Sequence, residues 1–394
     1  MATKSGEVKF KDWNLVCLGE SATFLRKLSL SRDQMTPGGE VSYLHYGDIH
    51  VGPRYRLNAK TEAMPTIKSS DQGNATLLRV GDLVFVDASE DKVGIGKSVE
   101  ITDVPEGGLV AGLHTIAVRF DKSILADGFK AYLQEIPAFR SHLLRLAAGT
   151  KVLASTKSHI ATAELLLPSI EEQEVIAGVL STTDSLIDSL DSLIAKKQNI
   201  KQGAMQQLLT GKTRLPGFSG EWINRKLGDL ASLYQSPTVA ADKFSESGYP
   251  VFGANGLTGY FTSFNHESWQ TLIACRGSCG QVNRSAPFSW INGNAMVVNV
   301  DGRRDIDKEF FYHLMKSQDF SGSITGSGIP QIVRGTLSPH QVYFSPDVRE
   351  QRAISKVLSD MDAETDALVA CRDKTALIKT GMMQELLTGR TRLL

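Results

Sequence analysis

The sequence predicts an α+β chain. Two mixed α/β blocks are separated by two long helices that pack as an antiparallel coiled coil about a pseudo-twofold axis. Three observations predict this. Residues 171–215 and 349–393 align without a gap at an offset of 178. Apolar residues recur at seven-residue steps inside those segments, and short β-like runs punctuated by glycine and asparagine fill the stretches between them.

The 394 residues are enough for two or three domains of roughly 150 residues each. At 41% hydrophobic and 22% charged, the composition is that of a folded soluble protein and excludes disorder, collagen or a disulfide miniprotein. No apolar run of about 18 residues occurs, and the opening MATKSGEVKF lacks the apolar stretch of a signal peptide. Four scattered cysteines (Cys17, Cys275, Cys279, Cys371) suggest a reducing compartment, so a cytoplasmic location is expected. Forty-three basic residues balance 43 acidic ones. That argues against a protein that coats nucleic acid by bulk charge, but not against a sequence reader, because base contacts need few charges.

The first block is expected over 1–168. Its β-like runs are VSYLHYG, DLVFVDA, LHTIAVRF and ELLLP, with one helix-like stretch around 127–147. Polar loops lie at YGDIHVG (46–52), SEDKVGIGKS (89–98) and GTKVLASTKSHI (149–160). From these loops and the run LHTIAVRF we take Tyr46, Asp48, Lys92, Lys97, His114, Lys151 and Lys157 as candidate DNA contacts.

A helix follows over 169–213. Val179, Leu186, Leu193 and Ile200 form one heptad row; Leu180, Ile187 and Ile194 form the next, with Leu190 beside them. Forty residues at 1.5 Å each make a rod of roughly 60 Å. The run PGFSG (216–220) ends it.

The second block is expected over 214–346, with runs TLIAC, AMVVNV and QVYFS and a helix-like stretch at 306–318. FGANGLTGYF (252–261) is a glycine-rich loop able to approach another surface closely. CRGSCGQVNRS (275–285) and SGIPQIVRG concentrate the side chains that read base edges. Arg suits guanine, and Asn or Gln suits adenine. The candidates are Asn255, Arg276, Ser278, Gln281, Asn283, Arg284, Asn294, Gln331 and Arg334. For any one of these loop residues a solvated turn is the plain alternative. Each block is charge-neutral, 18 basic and 18 acidic over 11–168 and 10 of each over 220–346.

The last helix is expected over 347–394, with the row Ile354, Met361, Leu368 and Met382, interrupted by Thr375. Between Glu172–Leu215 and its copy, 22 of 44 positions are identical. Both helices are acidic early and basic late, as with Asp184 and Lys201, or Asp362 and Lys379. Helix-dipole complementarity explains part of this. Antiparallel pairing of the copies explains the rest. The blocks repeat more weakly: Trp13 precedes Leu18-Gly19 as Trp222 precedes Leu227-Gly228.

Enzyme signatures are weak. GIGKS (94–98) and LLTGKT (208–213) lack the first glycine of a phosphate-binding loop, where Asp91 and Gln206 stand. Cys275 and Cys279 have no second Cys/His pair to complete a metal site. His114 and His159 lack a nucleophile partner. No DPPY or NPPF methyltransferase motif occurs.

The residues EEQEVIAGVLS with MQQLLTGKTRLPGFSGEW, and REQRAISKVLS with MQELLTGRTRLL, resemble the specificity subunit of type I restriction–modification systems over nearly the whole chain. YGDI, EDKVGIGKS, YPVFGANGLTGY and GSGIPQI support the resemblance. It implies that each block is a target recognition domain reading one half of a split double-stranded DNA site. The helices would set the spacer. Two DNA adenine methyltransferase subunits would dock around them, and two ATP-dependent restriction subunits would join. It implies a non-catalytic subunit without cofactor, S-adenosylmethionine, ATP and magnesium belonging to the partners, and a circular layout in which the C-terminal helix returns beside the first block. Two other readings stay open: a scaffold that does not read DNA, and the specificity subunit of another restriction or phage-defence enzyme.

Overall fold

The computed structural model describes residues 13–50, 55–147, 149, 152–326, 328 and 330–394. The chain divides into two compact units. One comprises residues up to Ser189 together with Arg372–Leu394, the other Leu190–Cys371. Each unit contains one mixed α/β block and part of each long helix.

The main sheet of the first unit uses β1 (Ala22–Phe24), β2 (Arg56–Asn58), β3 (Leu83–Val86), β4 (Ser98–Asp103) and β5 (Thr115–Phe120) in the order β1-β5-β3-β4-β2. That of the second uses β6 (Ser232–Tyr234), β7 (Thr271–Ala274), β8 (Val282–Arg284) and β9 (Ala295–Asn299) in the order β6-β9-β7-β8. The two orders superpose strand for strand, apart from β2. The central strands read as apolar runs, LVFV and TLIA, because both faces are covered.

Each unit adds a small second sheet. Val41–Leu44 pairs parallel with Leu109–Ala111, as Tyr249–Gly253 pairs parallel with Trp290–Ile291. Each block is also closed end to end. Asn14–Cys17 pairs antiparallel with Glu164–Leu167, and Ile223–Lys226 with Gln341–Phe344. The Leu-Gly step beyond each first strand has a packing reason. A Cβ on Gly19 would lie 2.7 Å from the Ala161 carbonyl oxygen, and one on Gly228 would lie 2.0 Å from Ser338 Oγ.

The long helices are α1 (Ile170–Leu208) and α2 (Val348–Leu386). Acidic residues open both, which suits a helix N-terminus. Each ends near a glycine in the left-handed region, Gly211 (φ 69°) and its repeat mate Gly389 (φ 67°). Along α1 the buried stripe runs through Ile176, Leu180, Leu190 and Ile194, with Ile187 half-buried. Along α2 it runs through Ile354, Leu358, Thr365 and Lys379, with Met361, Leu368, Thr375 and Met382 half-buried. Both follow 3–4 heptad spacing and occupy equivalent positions in the two copies.

This corrects one expectation. The row Val179, Leu186, Leu193 and Ile200 is 37–50% exposed and does not line the buried stripe. The adjacent row, Leu180, Ile187 and Ile194, does. The repeat explains the choice: Leu186 and Leu193 match Glu364 and Cys371 in the second copy, whereas Leu180 and Ile187 match Leu358 and Thr365, both buried.

Within each unit the helix halves are tied by ion pairs between residues of opposite copies. In the first, Lys379 pairs with Asp184, and Arg392 Nε donates to Glu172 at 2.7 Å. In the second, Lys201 pairs with Asp362, and Arg214 Nη2 donates to Glu350 at 2.7 Å. Asp184 and Asp362, Lys201 and Lys379, Glu172 and Glu350, and Arg214 and Arg392 are all separated by 178 positions. Each pair in one unit is the repeat image of a pair in the other. In both units, later residues of one helix meet earlier residues of the other, so the contacts run antiparallel.

Candidate nucleic-acid interface

In the second unit, one end of the main sheet gathers loops distant in sequence. The Cys275 amide donates to the Asn294 carbonyl at 3.0 Å, and the Ile332 amide donates to the Cys275 carbonyl at 3.0 Å. Arg276 and Gln331 form an antiparallel bridge, placing their side chains as cross-strand neighbours. Asn283 Nδ2 donates to the Ala254 carbonyl at 2.7 Å, tying in the tight hairpin that presents Asn255. The Cβ of a residue replacing Gly253 would contact the Asn294 amide at 3.3 Å. Arg276, Ser278, Gln281, Asn255, Asn294 and Arg334 are exposed on these loops, and Gln331 is half-buried.

Arg284 is placed differently. Its Nη1 lies 2.5 Å from Glu309, and its guanidinium stacks 3.8 Å from the Trp269 ring centroid. It braces the helix Lys308–Lys316 against β8. Asn283 is likewise occupied by the Ala254 carbonyl. Both point to scaffold roles that residue type alone did not reveal.

In the first unit, the equivalent sheet end carries His114. The Asp87 amide donates to the His114 carbonyl at 3.1 Å, the counterpart of the Cys275–Asn294 bond, and the Ser155 amide donates to the Asp87 carbonyl at 2.8 Å. His114 Nδ1 lies 3.1 Å from Asp87 Oδ1, while Lys27 Nζ holds Oδ2 at 2.9 Å. The Tyr46 ring meets His114 edge-on at 5.4 Å and His50 at 6.1 Å.

Beside them opens a cleft of about 890 Å³, lined among others by Tyr46, His50, Ser89, Lys97, His114 and Arg140. Lys97 donates to the His50 carbonyl at 2.8 Å, and partial burial lowers its pKa, with Asp91 opposing. Burial, then Arg32, lowers the pKa of His45, whose Nδ1 accepts from the Gly47 amide at 3.2 Å.

Other candidates serve locally. Asp48 Oδ2 accepts the His45 amide at 2.9 Å. Lys92 is exposed, and its carbonyl accepts from Arg140 at 2.9 Å. Lys157 lies 5.9 Å over the Phe24 ring. Lys151 lies outside the described residues. Sequence reasoning missed Lys27, Asp87 and His50. Asp87 ends the apolar run LVFV, which is the only signal it carried.

Among the described residues, no cluster of three or more His, Cys, Asp or Glu side chains is placed to hold a metal ion. The four cysteines are free, and burial pushes the Cys275 thiol up to about 11. No helix among the described residues is long and apolar enough to cross a membrane.

Residues 219–377 match the family model of the type I restriction modification DNA specificity domain. The chain is 22% identical over 355 residues to the MjaX specificity subunit of Methanocaldococcus jannaschii, covering 83% of this chain and 82% of that one. It is 26% identical over 154 residues to the EcoprrI specificity subunit of Escherichia coli, covering 38% of each. Among solved structures, the type I restriction–modification S subunit from M. genitalium superposes with a TM-score of 0.63 at 15% identity, covering 96% of this chain and 97% of that chain. A chain from a structure of type I R-M complex assembly and conformational transition gives 0.53 at 14% identity, covering 95% and 97%. With its duplicated helices and two like-folded blocks, the chain is similar to type I restriction–modification specificity subunits.

Proposed function

We propose that this chain is the non-catalytic DNA reader of a type I restriction–modification complex. Each block, 1–168 and 214–346, is a target recognition domain that reads one half of a bipartite duplex target. The helices over 169–213 and 347–394 pair as an antiparallel coiled coil, set the spacer and dock two adenine methyltransferase subunits. Two restriction subunits complete the assembly, and S-adenosylmethionine, ATP and magnesium belong to these partners.

One observation carries the reading. The two units share a strand order and a sheet end, yet that end displays Arg276, Gln331 and Asn294 in one and His114, Asp87 and Lys27 in the other. Like frames with unlike tips suit a target of two different halves. The exposed row Val179, Leu186, Leu193 and Ile200 supports a partner surface on α1. Charge neutrality fits recognition in which partners supply most phosphate contacts.

The test is a block exchange. Residues 220–346 are replaced by the corresponding block of another family member, the chain is reconstituted with methyltransferase, and methylated adenines are mapped. One half of the methylated sequence should change while the other half and the spacer stay fixed. A change in both halves, or in neither, counts against the reading.

A further inference from the structure

We propose that His114 reads an exocyclic amino group in the major groove, adenine N6 or cytosine N4, by accepting its hydrogen bond at Nε2. The inference rests on the DNA-reading function proposed above.

His114 occupies the turn before β5, where the second unit has Asn294 before β9; the matched backbone bonds to Asp87 and Cys275 fix the equivalence. It is one of two described non-glycine residues at positive φ, at 56°. Such a backbone persists where the surroundings over-determine it, and functional sites are where it clusters. Here the surroundings are Asp87 on Nδ1 and the edge-on Tyr46 ring. Despite this anchoring, half of the side chain is exposed.

The anchoring fixes the chemistry of the free edge. A carboxylate at Nδ1 requires that nitrogen to carry the hydrogen. Lys27 Nζ holds the other Asp87 oxygen, so Asp87 presents the ring with one acceptor, which a neutral imidazole with its hydrogen on Nδ1 satisfies. Nε2, which has no partner among the described residues, is then an acceptor. In the major groove only adenine N6 and cytosine N4 donate; guanine and thymine show acceptors there. His114 therefore favours an amino-bearing base and opposes a guanine or thymine edge at the same position. Asp87 and Lys27 are positioning residues, because they act through the ring.

The test pairs atom deletions in DNA and protein. The full chain, assembled with methyltransferase, binds duplexes of its methylated target in which each adenine is replaced in turn by purine deoxyriboside and each cytosine by a 2-pyrimidinone. Both analogues lack the amino group. With the native chain, one replacement in a single half-site should weaken binding roughly 2- to 12-fold. In His114→Ala the same replacement should cost nothing, while replacements in the other half-site cost what they did before. An adenine or a cytosine arm identifies which amino group is read. Asp87→Ala should shrink the same penalty without abolishing it, a readout that a purely structural histidine would not move. A melting curve excludes unfolding. If His114→Ala leaves every penalty intact while Asn294→Ala removes one in the other half-site, the inference fails and the reading function stands. If no replacement in either half weakens the native chain, the inference fails; if exchanging whole base pairs in either half-site also leaves its binding unchanged, the reading function itself fails.

Discussion

At the scale of single residues, the duplication is visible as repeated jobs. Gln173 and Gln351 are repeat mates buried at the base of the long helices. Gln173 Nε2 donates to the Ile124 and Pro168 carbonyls, both at 3.0 Å, and its Oε1 accepts the Ala126 amide at 3.0 Å. Gln351 does the same with the Asp305 and Ser345 carbonyls and the Asp307 amide. Three backbone groups per block depend on one amide, which explains an identical residue at both places. His313 has no such mate. It is buried with Nδ1 unpaired, and burial followed by Lys201 lowers its pKa from 6.5 to about 4. Between those values the unfolded chain binds a proton that the folded chain refuses. Stability contributed here is therefore intact above about pH 6.5 and declines as pH falls toward 4. His313→Gln should flatten the dependence of the denaturation midpoint on pH over that window. An unchanged slope would assign acid sensitivity to other groups, including His45, His266 and His340, whose pKa values burial also lowers.

At the scale of elements, the helices are fastened by reciprocal ion pairs of unequal burial. The Lys379 side chain is 6% exposed and sits 3.8 Å from the Tyr55 ring centroid and 5.5 Å from that of Tyr132. Tyr132 also donates to Asp184 at 2.7 Å, and burial raises the pKa of both phenols. Its repeat image, Lys201 with Asp362, is more exposed on the acidic side. Lys379→Ala, which leaves Asp184 without its cation, should cost roughly 1–3 kcal/mol, and Lys201→Ala less. Denaturant melts of the single and double variants with Asp184→Ala check this, and additive costs would show that the pair is not coupled. The sequence made much of this level legible. Repeat, heptads and polar gradient announced two helices meeting antiparallel. It offered two adjacent apolar rows of α1, and only the match to α2 separates the buried one from the exposed one. The common strand order of the blocks was barely legible, since a shared topology survives replacement of almost every side chain. The His114 anchor was not legible at all: Lys27, Asp87 and His114 lie far apart in sequence and meet only through the sheet order β1-β5-β3.

At the scale of the whole molecule, the proposed spacer role makes a prediction that depends on reciprocity. Each helix has 39 residues, about 58 Å at 1.5 Å per residue. Asp184 and Lys379 fasten the helices in one unit; Lys197, 2.6 Å from Glu364, and Lys201 with Asp362 fasten them in the other. Removing seven residues between Asp184 and Lys197 alone keeps the heptad phase of α1 but moves one set of partners about 10 Å out of register with α2. That variant should fail to assemble with methyltransferase. Removing a second heptad between Glu364 and Lys379 as well restores both sets of ion pairs on a shorter rod. The doubly shortened chain should regain assembly and methylate the same two half-sites across a spacer shorter by at most about three base pairs, the number that spans a lost 10 Å of duplex. Mapping methylated adenines distinguishes the cases. Rescue with an unchanged spacer would remove the helices as the determinant of length. An altered half-site would mean that the helices shape the reading tips as well as their separation.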